Sequence, residues 1–152
     1  YLKPLKIVNY EGFWYLICLD IKSKDKLKKY YLKNISNIKL LSTNFNVETK
    51  LEELLENSTS IWFNERKEPY EVKINISKEI SKYIKRKPIS PTQSIESIYE
   101  DGSIDIIIHI TSDMEIMPLI KYWLPHMTVM EPQTLDIKIR NELQGYLDTT
   151  NK

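Results

Sequence analysis

Cysteine, glycine and histidine are scarce in this sequence, and each scarcity excludes a class of protein. One cysteine, Cys18, cannot form an internal disulfide framework, which favours a reducing, cytoplasmic setting. Three glycines leave no phosphate-cradling loop of either usual type. The two histidines, His109 and His126, stand outside any His-x-x-x-His spacing and have no cysteine pair beside them, so no zinc site is predicted.

Long apolar runs are also missing. No stretch approaches the roughly 20 apolar residues of a membrane span, and polar and charged residues recur through the first twenty positions. We therefore predict a protein with neither a membrane segment nor a signal peptide. The sequence opens at Tyr1 rather than at Met, so we expect a fragment of a longer chain.

No set of residues offers catalytic chemistry. Cys18 lies inside an apolar stretch, whereas a nucleophilic thiol needs an exposed site beside a cation. The glutamates at positions 52, 53 and 56 are spaced as a solvated helix face rather than as a carboxylate pair. We expect His109 to be a satisfied surface or interface histidine rather than a metal ligand or a catalytic base. We predict that the chain is not an enzyme and binds no cofactor or metal.

The charge is divided unevenly along the chain. Residues 1–40 contain nine lysines against Glu11, Asp20 and Asp25, a net charge of +6, whereas the remaining 112 residues sum to −5. This asymmetry indicates two functional units, one of them attracted to an anionic partner. Lysine-rich solvated turns explain it equally well.

The stretch Gly12–Asp20 organises the first unit. Its β-branched and aromatic residues, with Phe13, Trp14 and Tyr15 in succession, predict a central strand that is buried on both faces. Further strands are expected at 5–8, 27–32 and 35–41, which together would form a small all-β sheet or barrel over residues 1–45. In the third strand, Lys29 and Tyr31 would share one face.

A connector is expected over residues 46–69. Val47, Leu51, Leu54 and Leu55 recur at helical spacing after Asn46, a plausible N-cap, and predict one short amphipathic helix. Trp62 is expected to be tucked under the connector, although an exposed Trp62 would indicate an interface.

Residues 70–152 have the pattern β-α-β-β-α-β, followed by a last helix. Isoleucines alternate from Ile104 to Ile110, Asp101-Gly102 indicates a hairpin turn, and Ser112 with Glu115 is spaced as a capping box. This order is the ferredoxin-like arrangement. The predicted fold class is therefore α+β.

Several motifs resemble those of the WYL domain and the C-terminal extension (WCX) that commonly follows it. They are Pro4-Leu5-Lys6-Ile7, Trp14-Tyr15-Leu16 and Lys28–Ile35 in the first unit, and Asp101-Gly102-Ser103 and Trp123–Pro132 in the second. The resemblance implies an Sm-like barrel in a bacterial transcriptional regulator. In the family, a helix-turn-helix domain upstream reads promoter DNA, and the extension supports homodimerisation. The sequence departs from the family pattern at two points. Asn34 stands where the family has an arginine, and the strand before Pro4 is absent or very short.

The resemblance and the lysine-rich strand together suggest a site. A nucleotide or short single-stranded nucleic acid would bind the basic face of the barrel, with lysine on phosphate and tyrosine stacked on a base. The candidate ligand-binding residues are Tyr15, Lys28, Lys29, Tyr31, Lys33 and Asn34, and the motif residues Trp14, Tyr15 and Leu16 would form the core. Alternatively, the chain is a purely structural oligomerisation module that binds no small ligand.

Overall fold

The computed structural model describes residues 1–46 and 50–150. The chain separates into two compact units, Tyr1–Lys50 and Leu51–Lys152, each of which has its own sheet. The mixture of helices with two antiparallel sheets is the predicted α+β class. Within the described residues, no helix is long and apolar enough to cross a membrane.

The first unit contains a three-stranded antiparallel sheet, ordered β1-β2-β3. The strands are β1 (Leu2–Tyr10), β2 (Phe13–Asp20) and β3 (Lys26–Tyr31). A two-residue turn joins β1 to β2, and both of its residues have positive φ, 49° at Glu11 and 86° at Gly12. This backbone matches the twist of a hairpin and favours glycine. β2 is the central strand, as the sequence predicts.

The chain leaves this sheet earlier than predicted. After Tyr31 it forms one turn of 3₁₀ helix, Leu32–Asn34, and the strand predicted over 35–41 is not formed. Ile38 and Leu40 are 79% and 92% exposed, so no neighbouring strand or core holds them. In the described residues the three strands form an open sheet, because β1 and β3 do not pair. Three strands are too few to close the predicted barrel.

Burial in the first unit is also lower than predicted. The only fully buried hydrophobic side chains among its described residues are those of Ile17 and Cys18, in the middle of β2. Phe13 and Trp14 are each 52% exposed, so the prediction that both faces of β2 are buried is wrong for the start of the strand. One sheet of three strands cannot cover both of its faces.

The second unit begins with α1 (Leu51–Asn57). Part of the predicted helix, at Val47, lies outside the described residues, and the helix begins five residues after Asn46, the predicted N-cap. Leu51 is buried, as are Ile61 and Phe63 beyond the helix. Trp62, between these two, is 55% exposed, so the prediction that it is tucked under the connector is wrong.

A four-stranded antiparallel sheet forms the centre of this unit, ordered β5-β6-β4-β7. Its strands are β4 (Tyr70–Ile76), β5 (Ser94–Ile98), β6 (Ile104–Ile110) and β7 (Met127–Glu131). The helices are α2 (Lys78–Arg86), α3 (Met117–Tyr122) and α4 (Gln133–Thr150). This succession of strands and helices follows the predicted β-α-β-β-α-β order with a last helix.

The core of the second unit lies on one face of this sheet. Alternating residues of β4 and β6 point into it, because successive side chains of a strand point to opposite faces. α2, α3 and the first half of α4 add their apolar positions. The buried cluster comprises Val72, Ile74, Ile76, Ile80, Ile84, Ile104, Ile106, Ile108, Ile110, Ile116, Met117, Ile120, Met127, Val129, Leu135 and Ile139.

Candidate functional site

Two of the candidate tyrosines meet on one face of the first sheet. Tyr15 of β2 is paired directly opposite Tyr31 of β3, and their ring centroids are 5.8 Å apart. Phe13 approaches Tyr31 edge-on, also at 5.8 Å. Cross-strand aromatic pairs of this kind stabilise a sheet and present ring surface at its end. We call these three residues the aromatic cluster.

Lys29 lies on the same face as the aromatic cluster. It is two residues before Tyr31 in β3 and opposite the buried Ile17 of β2. Its side chain is half-buried. A lysine and aromatic rings on one face of a sheet are the combination with which proteins hold a phosphate and stack on a base. The predicted sharing of a face by Lys29 and Tyr31 is therefore present in the structure.

Lys28 belongs to the opposite face, because strand residues alternate and Lys28 is paired with Cys18. The Cys18 thiol donates a weak hydrogen bond to the Lys28 carbonyl oxygen at 3.8 Å. Burial, with a contribution from the charge of Asp20, raises the pKa of the Cys18 thiol. Cys18 is thus a buried, protonated thiol at neutral pH rather than a nucleophile.

Lys33 and Asn34 lie in the 3₁₀ turn that follows β3, and both are exposed. The Ile35 amide donates to the Leu32 carbonyl oxygen at 3.0 Å and closes this turn. The candidate residues therefore divide into three groups: a shared face with Tyr15, Lys29 and Tyr31, the opposite face with Lys28, and the turn with Lys33 and Asn34.

The motif residues alternate in the same way. Trp14 and Leu16 point away from Tyr15, to the face opposite the aromatic cluster. Trp14 is paired with Asn9, and Leu16 is paired with Ile7, which is 55% exposed. This second face is therefore apolar and exposed around Trp14. The sequence interpretation treated Trp14 as core, whereas the structure leaves half of its surface exposed.

The two histidines belong to the second unit and lie in different places. His109 is exposed on β6. Nδ1 of His126 is 3.0 Å from the Ser77 hydroxyl and 3.7 Å from a Glu79 carboxylate oxygen. Among residues 1–46 and 50–150, no group of three or more His, Cys, Asp and Glu side chains is arranged to hold a metal ion.

The second sheet contains a buried polar group that the sequence analysis missed. Asp105 is 3% exposed, and it accepts hydrogen bonds from the Asn75 amide and the Tyr99 hydroxyl, each at 2.7 Å. Lys73 lies 3.8 Å from the same carboxylate and also pairs with Glu96. Burial alone would raise the pKa of Asp105, but the two hydrogen bonds and the lysine charge outweigh it and lower the pKa. The position of Asp105 between the isoleucines of a predicted strand was the sequence feature that could have indicated a buried carboxylate.

A second buried carboxylate corrects the predicted capping box. Ser112 does accept from the Met114 amide, at 3.4 Å, but Glu115 does not reach back to the Ser112 amide. The Glu115 carboxylate instead accepts from the Thr111 amide and hydroxyl, each at 2.8 Å, and from the Thr59 amide at 2.9 Å. Glu115 therefore fastens the segment after α1 to the end of β6, a long-range role that local spacing does not reveal.

Comparison with known families identifies the second unit. The family model of the WCX domain matches residues 68–147, which is more than half of the chain. The chain belongs to the WCX domain family. This match confirms the extension recognised in the sequence from Asp101-Gly102-Ser103 and Trp123–Pro132. None of the curated proteins matches the chain.

Two solved structures are similar over 99% of this chain. One, described as a CRISPR Cas-related protein, is 16% identical with a TM-score of 0.56, and the match covers 43% of that chain. The other is the proteasome accessory factor B/C (PafBC) of Arthrobacter aurescens, 18% identical with a TM-score of 0.45, of which 23% is covered. This chain thus spans less than half the length of either protein. At these identities the first likeness shows a shared fold only.

Proposed function

We propose that this chain is the effector-sensing and dimerising part of a bacterial, cytoplasmic transcriptional regulator. A nucleotide or short single-stranded nucleic acid would bind the first unit, and promoter DNA would be read by an upstream helix-turn-helix domain. Membership of the WCX family supports the regulator context. The chain would act without a cofactor and without catalysing a reaction.

One observation carries the choice of ligand class. Tyr15, Tyr31 and Lys29 share a face of the first sheet, so a phosphate on the lysine ammonium would leave a base within reach of a tyrosine ring. The net charge of +6 over residues 1–40 would attract such an anion. Lys33 and Asn34, in the turn that ends β3, would add polar contacts beyond the sheet.

The finer fold assignments belong to the same proposal. We assign residues 1–45 to a WYL-type unit related to the Sm-like fold, 46–69 to a connector and 70–152 to a ferredoxin-like extension. The strand order β5-β6-β4-β7, antiparallel throughout, supports the last assignment, because the two outer strands of the β-α-β-β-α-β run are then its second and fourth. The extension would form the homodimer contact.

A ligand at the first unit would influence transcription only through its differential affinity for two arrangements of the regulator. Binding must therefore favour one placement of the sensing unit, the connector and the dimer over another. The proposal consequently predicts that ligand binding and dimerisation are thermodynamically linked.

The test measures binding of a labelled short single-stranded oligonucleotide to the whole chain as a function of salt. Lys29→Ala with Lys33→Ala should weaken binding and reduce the slope of log K against log salt by about 0.7 for each phosphate that is no longer neutralised. An unchanged affinity and slope would remove these lysines from the site.

Two matched variants sharpen this measurement. Lys28→Ala removes one charge from the same strand but from the opposite face, so it should weaken binding less than Lys29→Ala alone. Tyr31→Ala should weaken binding while leaving the salt slope unchanged, because it removes stacking rather than charge. Equal effects of Lys28→Ala and Lys29→Ala would argue for diffuse electrostatic attraction instead of a defined face.

The second candidate function is a structural oligomerisation module without a small ligand. The continuous buried core of the second unit favours it, since that unit has a complete core of its own. It predicts a dimer that gives no saturable thermal shift with mononucleotides, cyclic dinucleotides or short single strands. The same thermal-shift screen therefore separates the two functions.

A further inference from the structure

Helix α2 of the second unit has a row of cations along one side. Lys78, Lys82, Lys85 and Arg86 stand at i, i+4, i+7 and i+8, which places them within an arc of about 100° and over about 12 Å of helix axis. All four are exposed. We call them the α2 stripe.

The helix that carries the stripe is firmly held. Ile80 and Ile84, on its other side, are 5% and 2% exposed and belong to the buried cluster of the second unit. The Ser81 hydroxyl donates to the Gly102 carbonyl oxygen at 2.8 Å and ties the helix to the β5–β6 hairpin. The stripe is thus a rigid feature of the surface rather than a set of lysines on a loop.

The stripe residues form no close ion pairs with the described carboxylates. Elsewhere in the second unit, five cations lie within 4.0 Å of a carboxylate: Arg66, Lys73, Lys121, Lys138 and Arg140. None of the four stripe residues lies that close to a carboxylate of the described residues. Arg86 instead covers one side of the Tyr83 ring, 5.6 Å from its centroid.

Such an arrangement costs stability unless an anion relieves it. Like charges at i and i+4, such as Lys78 with Lys82 and Lys82 with Arg86, repel each other on a helix surface. Residues 51–152 contain seventeen acidic side chains, yet among the described residues none lies within 4.0 Å of a stripe cation. The charge of Lys78 helps to lower the pKa of Asp101 and of Glu79 without a close ion pair. The carboxylate of Glu79, the acidic residue of α2, lies close to Ser77 and His126.

We propose that the α2 stripe docks on the phosphate backbone of duplex DNA without reading its sequence. This contact is separate from the ligand face proposed for the first unit and goes beyond it. A straight row of cations on a rigid helix suits phosphate contacts, which position a protein on a duplex without sequence information.

Other occupants fit less well. A protein interface needs apolar or aromatic anchors and is depleted in lysine, whereas Tyr83 is the single large apolar residue exposed on α2. A membrane surface would need exposed apolar residues to insert, but Ile80 and Ile84 face the core. A single strand would need successive stacking rings, and α2 offers one tyrosine already covered by Arg86.

The first test compares two triple variants of the whole chain that remove the same charge. The stripe variant is Lys82→Gln, Lys85→Gln and Arg86→Gln; the control, on α3 and α4, is Lys121→Gln, Lys138→Gln and Arg140→Gln. Binding of a labelled 20-base-pair duplex of arbitrary sequence is followed by fluorescence anisotropy between 50 and 200 mM salt. The stripe variant should bind about tenfold or more weakly, and its salt slope should fall by about 2.7.

The outcomes separate the possibilities. Equal binding by the stripe and control variants would overturn the proposal, as would a larger loss for a single strand of the same sequence than for the duplex. A stripe variant that binds duplex normally but changes its oligomeric state would also overturn it and assign the stripe to a second copy of the chain. If the stripe variant loses duplex binding but still binds the short single-stranded oligonucleotide as the original protein does, the result supports the α2 stripe independently of the site proposed for the first unit.

A footprint on the unmodified protein tests the same contact without any variant. Lysine acetylation is measured by mass spectrometry with and without the duplex. Lys78, Lys82 and Lys85 should be protected more strongly than Lys121 and Lys138. Binding of the duplex without such protection would refute the assignment, even if the triple variant proved poorly folded.

Discussion

The two units of this chain differ in how much of their sheets is buried. The second unit covers one face of a four-stranded sheet with three helices and buries sixteen apolar side chains in one cluster. The first unit has three strands, and among its described residues only Ile17 and Cys18 are fully buried hydrophobic side chains. The first sheet therefore leaves large aromatic side chains such as Phe13 and Trp14 half exposed, whereas the second buries its apolar residues in one core.

The largest effect is expected in the core of the second unit. Ile106→Ala removes a side chain with no exposed surface from the centre of the sheet, and it should lower the free energy of unfolding by about 2–5 kcal/mol. The loss is measured by urea unfolding of the whole chain, with hydrogen exchange of the strand amides of the second unit as the readout. A loss below about 1 kcal/mol would mean that this core is not tightly packed.

A smaller but clear loss is expected for the buried carboxylate of Glu115, in the 3₁₀ turn that follows β6. Glu115→Gln replaces one acceptor oxygen by an amide that cannot accept from Thr111 or Thr59, so we expect a loss of about 1–3 kcal/mol. The exposed Glu142→Gln is the matched control and should change stability by less than about 0.5 kcal/mol. Equal stability of the two variants would show that Glu115 does not fasten the segment after α1.

The stability of the second unit should decline in acid partly because Asp105 becomes protonated. Its folded-state pKa is lowered, so its charge contributes stability above the unfolded pKa of about 3.9, and that contribution disappears as the pH falls through the lower folded-state value. Thermal unfolding between pH 6 and pH 2 should therefore show a shallower acid decline for Asp105→Asn than for the original protein. Parallel curves would contradict this role for the carboxylate.

The smallest effect is expected on the exposed face of the first sheet. Ile7→Ser changes a side chain that is 55% exposed, so the free energy of unfolding should change by no more than about 0.5 kcal/mol. Hydrogen exchange of the β1 and β2 amides gives the measurement. A loss above about 2 kcal/mol would break the comparison, because a change that large would mean that this face is covered in solution.

Local patterns predicted most of the secondary structure. Alternating isoleucines located β6, and Asp101-Gly102 located the turn before it. The strand predicted at 35–41 failed because its apolar residues have no partner strand. The face shared by Lys29 and Tyr31, and the placement of Lys28 on the opposite face, both follow from alternation along β3. Only the pairing of Tyr31 with Tyr15 depended on the register with β2.

The sequence by itself determined the α+β class and the order of elements in residues 70–150, because helices and strands are marked by periodic patterns a few residues long. It also determined the uneven distribution of charge, which composition gives directly. Only the tertiary structure decided that Trp14 and Trp62 are exposed and that Asp105 and Glu115 are buried with partners. It also decided that the cations of α2 form no close ion pair, whereas Lys73, Lys121 and Lys138 do. These features depend on which distant residues meet, and no local pattern specifies such meetings.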